Sequence, residues 1–371
     1  MTVLLTRSDI LRALDVPAVL EALRSGFQQS ATLEPLRIRT DLPGPGTATA
    51  LLPGLIPGIP AYTVKVNAKF PGATPALRGV VCLHDLTDGT LLALLDSSTI
   101  TAWRTGLAAA LATDVLTGTV GGVAVGVVGA GAQAAMTLAG LAALRPVEQV
   151  VVHDLQPGRA SEFLARQGIP GVVANSPREV AAEADVVVLA TWSREPLLTA
   201  ADLRPGLHLT TLGADEPGKV ELSADLLSVA RVIVDDRTLV AQMGALGNVG
   251  LAADAAAATL TEVLSGTTEG RRSPEDITVY APVGLPWQDL AMAWINYVYD
   301  PKHSAQIVAG APYLSDAKGT GAELAKIAPA LASSPLVNPP DELRARLHVF
   351  RALSDAEDTE YNRIFQDAIG A

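Results

Sequence analysis

VAVGVVGAGAQA, residues 123–134, is an apolar run that breaks into Gly129-x-Gly131-x-x-Ala134. Six buried-type residues followed by glycines predict a strand that turns sharply into a helix. Gly129 permits the tight turn. Gly131 has no Cβ, so backbone can approach a pyrophosphate, and Ala134 lets the helix pack close to the strand. The unpaired N–H groups of that helix start then face the phosphates. Downstream, a second apolar run, Val147–Val152, ends at His153-Asp154. Asp154 follows Gly129 by 25 positions (154 − 129), near the roughly 20-residue offset of the acid that binds ribose hydroxyls. A lone glycine signature in an Ala-rich chain is weak and also fits a packing turn. The full series of strand, glycines, helix, strand and acid predicts a dinucleotide site.

Composition narrows the partners. The chain has 371 residues, 49% hydrophobic and 18% charged. That length allows two domains, each with its own core. A net charge of −12 argues against nucleic acid or an anionic membrane surface, both of which require basic patches. The single cysteine, Cys82, excludes an intrachain disulfide framework and a cysteine-cluster metal site. Neither a secretory signal nor a membrane span is expected, so the predicted location is cytoplasmic.

Residues 1–30 carry helical periodicity, with Thr6 or Ser8 as cap. Between Pro35 and Leu95, short apolar runs (LRIRT, YTVKVNAKF, GVVCLHDL, LLALLD) alternate with turns. They predict an antiparallel or mixed sheet, with a hairpin turn at Asp88-Gly89. A long Ala-rich helix is expected from about Ser98 to Leu116, and TGTVGG (117–122) reads as a boundary. Beyond it, strands at 123–128, 150–153, 171–174, 186–190, 208–212, 232–234 and 277–280 alternate with helices. That is the mark of a doubly wound parallel sheet. Residues 286–299 read as one helix returning to the first domain. The nucleotide-binding domain, 120–296, is therefore expected as an insertion in a discontinuous domain of 1–119 plus about 297–371. The tail after about Ala317 is expected to be helical in DELRARLHVFRAL and DTEYNRIFQDAI.

Chemistry is sought at the carboxyl ends of the parallel strands. After the 208–212 strand comes Gly213-Ala214-Asp215-Glu216-Pro217-Gly218-Lys219. Asp215 there either takes and gives a proton on a substrate nitrogen or serves as a turn or N-cap acid. Lys65 lies mid-strand in YTVKVNAKF; pointing inward it needs a partner or a substrate anion, and otherwise it faces solvent. Arg104, at the opening of the Ala-rich helix, and Arg39, on LRIRT, have the fork that grips a carboxylate, although most arginines are surface residues. The five histidines are scattered without metal-ligand spacing, so no metal is expected.

Together KVNAKFPG (65–72), ITAWRTGLAAALA (100–112), VVGAGAQA (127–134), GADEPGKVEL (213–222) and GRRSPEDITVYAPVGLPWQDLA (270–291) resemble the ornithine cyclodeaminase/μ-crystallin family over roughly residues 5–310. The resemblance implies a Rossmann-type doubly wound parallel sheet inserted in a discontinuous α+β domain that binds substrate and forms a homodimer. It implies that Lys65, Arg104 and Arg39 bind the substrate carboxylate and that Asp215 handles its nitrogen. Gly129, Gly131, Ala132, Gln133 and Asp154 would hold the cofactor. Asp154 favours NAD, since a carboxylate repels the 2′-phosphate of NADP; Arg159 nearby leaves NADP open. Cyclodeaminases of the family carry a glutamate in an E-L-M-P segment eleven positions after the arginine. Here that segment is Ala50-Leu51-Leu52-Pro53, eleven after Arg39, and the acid is missing.

Three activities follow from the resemblance. The first is an NAD(P)-dependent amino acid dehydrogenase or imine (ketimine) reductase acting on the Cα–N bond of a small amino or imino acid. The second is an ornithine or lysine cyclodeaminase that recycles NAD within the site; the missing acid counts against it. The third is a crystallin-like binder without turnover, against which Lys65, Arg104 and Asp215 together argue.

Overall fold

A computed structural model describes residues 2–29, 36–44, 47–70, 73, 75–299, 301–310, 317, 319–335, 337–340 and 342. It divides into two compact units, 1–297 and 298–371. In the second, helices Pro301–Gly310 and Thr320–Ile327 share a small core of Ala305, Val308, Leu324 and Val337. The two helices expected in the tail lie outside the described residues.

The first unit is built on two sheets. Strands β1 (Val3–Leu5), β2 (Ile38–Asp41), β3 (Ala48–Leu55), β4 (Ala61–Lys69), β5 (Leu77–Asp85) and β6 (Leu91–Asp96) form one, in the order β1-β6-β5-β4-β3-β2. All its pairings are antiparallel except β1 with β6, so it is a mixed sheet. Along β4, Ala61, Thr63, Lys65 and Asn67 are buried in strict alternation. A strand's period of two therefore puts Lys65 and Lys69 on one face.

Three local expectations change. The start is not one helix: Val3–Leu5 is recruited as β1 beside Ala93–Leu95, and the rest splits into helices Arg7–Ala13 and Val16–Gln28. Asp15 caps the second helix by accepting from the Ala18 N–H, and Pro17 in its first turn fits a helix start. The structure adds β3, which Pro53-Gly54 disguised. β2 begins opposite Leu51 and runs away from Pro53, so Pro53 lies where β3 is paired on one side only, a place proline tolerates. Arg104 does not open the Ala-rich helix; Asp96 caps that helix through the Thr99 N–H, and Arg104 is its eighth residue.

This helix, Ser97–Leu116, is buried on all sides, as expected of a helix without a polar face. It lies between the first sheet and the second, touching β5, β11 and β14. The second sheet comprises β7 (Val123–Val128), β8 (Val147–His153), β9 (Gly171–Val173), β10 (Val186–Leu189), β11 (His208–Thr211), β12 (Arg231–Val234), β13 (Ala258–Thr259) and β14 (Thr278–Tyr280). All are parallel, in the order β13-β12-β14-β11-β10-β7-β8-β9. The continuous apolar runs of β7 and β10 suit strands covered on both faces. The order reverses between β7 and β10, where doubly wound sheets open a ligand crevice. The return of the chain is explicit: Trp287 packs edge-to-face on Phe27 at 5.0 Å and covers Gly26, at the start of helix Trp287–Tyr299.

Candidate active site

One cavity of about 870 Å³ opens at the reversal. Its walls include Lys65, Arg104 and Asp215, and also Gly131, Ala132 and Gln133. The candidate substrate residues and the glycine loop thus share one space.

On the glycine-loop side, Gly129 has φ +93°, and a Cβ there would lie 2.6 Å from the Ala190 carbonyl oxygen. Only glycine makes this turn without strain. A Cβ on Gly131 would meet nothing within 4 Å, so the space before it is open. Gly131 caps helix Ala132–Leu144 with no side-chain hydrogen bond, which leaves the first-turn N–H groups for an anion. Asp154 accepts from the N–H groups of Ala130 and Gln156, both at 2.9 Å. It therefore ties the glycine loop to the end of β8. Neither Gly129 nor Asp154 reaches the cavity wall; Gln156 and Arg159 do. The residues present fit a dinucleotide.

On the opposite side, Lys65 is 1% exposed and paired with Asp289 at 2.7 Å. Asp289, itself fully buried, also faces Arg104 Nε at 3.6 Å, and Arg104 donates to Gln288 Oε1 at 3.2 Å. Two cations therefore share one carboxylate. The next acid, Asp235, is engaged by the N–H groups of Val283 and Gly284. Burial, and then the Arg104 guanidinium, lower the Lys65 ammonium to about 7 against the pull of Asp289. Asp289 is not among the site residues expected from the sequence. A single acid in the apolar stretch PWQDLAMAW was its signal, because a buried charge requires a partner.

Asp215, half-buried in the loop after β11, pairs with Lys219 at 2.7 Å and with Arg37 at 3.7 Å. Burial raises its carboxyl, but Lys219, Arg37 and Lys69 outweigh that and hold it at about 2. It is an ionised acceptor at neutral pH. Beneath it, fully buried Glu221 accepts from Thr191 N and Oγ1, Thr211 Oγ1 and Gly213 N at 2.6–2.8 Å. The loops after β10 and β11 are thereby pinned together. Arg39 lies in the cavity wall, but its guanidinium pairs with Asp41 at 2.5 Å; the arginine that reaches Asp215 is Arg37, which sequence reading passed over. Arg39 stands directly opposite Ala50 in the β2–β3 register.

Among the described residues no group of three His, Cys, Asp or Glu side chains is placed to hold a metal. No described helix is long and apolar enough to cross a membrane.

The sequence profile of the ornithine cyclodeaminase/mu-crystallin family matches residues 2–306. The chain belongs to this family. Among its relatives, an alanine dehydrogenase of Archaeoglobus fulgidus is 32% identical over 230 residues, 60% of this chain and 70% of that one. A Delta(1)-pyrroline-2-carboxylate reductase of Bacillus cereus is 27% identical over 74% of this chain and 87% of its own. The solved Thermococcus litoralis Delta(1)-pyrroline-2-carboxylate reductase, in complex with NADH and L-proline, superposes with a TM-score of 0.74 at 26% identity. It covers 80% of this chain and 96% of its own. The family member described here thus has the Rossmann-type α/β fold of these enzymes.

Proposed function

We propose that this chain is an NAD-dependent oxidoreductase acting on the Cα–N bond of a small amino or imino acid. The observation that carries the reading is the buried pair of cations, Lys65 and Arg104, sharing the single acid Asp289 in the cavity that also holds the glycine loop. One positive charge is left over, and a substrate carboxylate balances it. Among the described residues Arg104 Nε is buried with no hydrogen-bond partner, so part of its fork is free for that carboxylate. Binding of related enzymes to NAD, NADH or proline supports the same assignment.

Gly131, Ala132 and Gln133 would hold the pyrophosphate against the helix start, and Asp154 the ribose side. Bound NAD supplies the acceptor or donor of the Cα hydride. The chain's own residues do the rest. Lys65 and Arg104 fix the carboxylate and with it the orientation of Cα, which lowers the entropic cost of reaction. Asp215, held at about 2 beside Lys219, is too weak a base to take the ammonium proton, which goes to solvent. Its carboxylate accepts a hydrogen bond from the substrate nitrogen in both directions. On reduction its charge stabilises the protonated Cα=N group. Glu221 keeps that loop in position. Arg39 is a further candidate for the carboxylate once its pair with Asp41 opens.

Ala50 in the cavity wall puts a methyl group where a cyclodeaminase would present an acid, which favours net redox over ring closure. We further propose a homodimer, with the first sheet's domain providing the interface, and a cytoplasmic location. The test is the ratio of ammonia released to NADH formed, measured with NAD and a panel of L-amino acids including alanine, ornithine and lysine. A ratio near one supports the reading. Ammonia without accumulating NADH would replace it with cyclodeamination.

A further inference from the structure

The carboxylate clamp accounts for one surplus charge; the cavity holds another. Beyond Asn67 on the same face of β4 lies Lys69, whose ammonium pairs with Glu216 at 2.7 Å. Glu216 also faces Lys219 at 3.7 Å and Arg37 at 3.8 Å, and these two cations share Asp215. Among the described residues, three cations therefore stand against two acids. Solvent exposes only 10–12% of each cationic side chain, so the surplus is not a solvated surface charge. Its effect is already visible, since burial and the neighbouring Lys219 depress the Lys69 ammonium.

Arg37 is the member with capacity to spare. Among the described residues its Nε is buried without a hydrogen-bond partner, while Nη1 donates to the Asp215 carbonyl oxygen at 3.1 Å. Its contacts with both acids are long. A guanidinium offers five donors in a fork that matches a carboxylate. The two surpluses lie in one cavity. Lys65 and Lys69 are four residues apart on β4, about 13 Å between Cα atoms at ~3.3 Å per residue. Long side chains close much of that gap, and Arg37 is near enough to Lys65 to depress its ammonium. Glycine-loop anion binding leaves this second surplus unused, because the helix start at Gly131 is a separate feature of the wall.

We propose that the substrate is an amino or imino dicarboxylic acid, its distal carboxylate held by Arg37 with Lys69 and Lys219. This rests on the reading of the site given above and specifies its substrate. The reaction keeps its balance: NADH and one proton reduce the Cα=N bond to the amine and yield NAD, and both carboxylates leave unchanged.

The test is calorimetry on the NADH-saturated protein with succinate and butyrate, acids of equal length differing in one carboxylate, alongside turnover. Turnover compares oxaloacetate plus ammonia with pyruvate plus ammonia. Succinate is expected to bind at least tenfold more tightly than butyrate, and Arg37→Leu to erase at least tenfold of that ratio. Arg12→Leu, which removes an equal charge from an exposed pair with Asp9, is expected to leave the ratio within twofold. Equal binding of the two acids, or an Arg37→Leu effect of the same size on both, would overturn the proposal. A succinate preference that disappears in Arg37→Leu, with no turnover of any substrate, would instead sustain the dicarboxylate site and overturn the oxidoreductase reading. Turnover of pyruvate with ammonia and no preference for the second carboxylate would do the reverse.

Discussion

The two walls of the cavity are built on opposite principles. The glycine-loop wall is local: strand, turn, helix and acid lie within residues 123–154, and Gly129 with φ +93° makes the turn by itself. The cationic wall is assembled from distant pieces, for Lys65 and Asp289 are 224 positions apart and Arg104 and Gln288 are 184. Local backbone geometry reads anions with N–H groups that have no cost of burial once they face a ligand. Charged side chains must be drawn out of water, so they require partners from across the fold. The two walls are therefore expected to fail separately when altered.

The largest separation comes from Lys65→Met. It retains the aliphatic stem, removes the charge, and is expected to lower kcat/KM for the amino or imino acid at least about 100-fold. The Kd for NADH, followed by fluorescence, should stay within threefold. A comparable loss of NADH binding would show that the walls are coupled. The variant leaves Asp289 with Arg104 alone at 3.6 Å, so a modest fall in Tm is expected from loss of the 2.7 Å partner. Adding Asp289→Leu strips the buried Arg104 of its carboxylate as well, so Tm should fall further.

The titration of Lys65 sharpens the same contrast. Its ammonium, lowered to about 7, must carry a proton to hold a carboxylate. Protonated enzyme predominates below that value, so kcat/KM is expected to fall about tenfold per pH unit above it. Lys65→Arg should move this limb above pH 9, since a guanidinium stays charged. A limb that does not move would assign the titration to another group.

On the other wall, Gly131→Val adds atoms into open space and should leave Tm unchanged. The Kd for NADH is expected to rise about tenfold, because the branched side chain occupies the approach to the helix start. An unchanged Kd would place the pyrophosphate elsewhere. The smallest effect is expected from Asp154→Ala: a severalfold loss of preference for NAD over NADP in kcat/KM, since Asp154 also serves the Ala130 N–H. An unchanged ratio would remove Asp154 from cofactor selection.

What sequence reading reached follows the same division. The central parallel strands, such as β7 and β10, were legible because each is a short apolar run buried along nearly its whole length, whereas the two-residue β13 gave no such run. The glycine loop was legible because its conformation is a property of consecutive residues. Lys65, Arg104 and Asp215 were picked out as residue types, and the cavity brings all three together. What they pair with was not legible. Asp289 becomes the counter-ion only when helix Trp287–Tyr299 returns to β4, and no local pattern encodes that distance. Arg37 and Arg39 are two residues apart on one chain segment, and spacing alone cannot tell which guanidinium meets Asp215 and which meets Asp41. β3 was hidden by Pro53-Gly54 because a sequence does not state where its neighbour strand begins.

The measurement that tests the central claim most directly follows the hydride itself. NADH deuterated at the transferable C4 position would be supplied with a 2-oxo acid and ammonia, and the amino acid product analysed by mass spectrometry. One deuterium at Cα is expected for each NADH consumed. Amino acid without deuterium, or NADH left intact while the substrate is transformed, would contradict it.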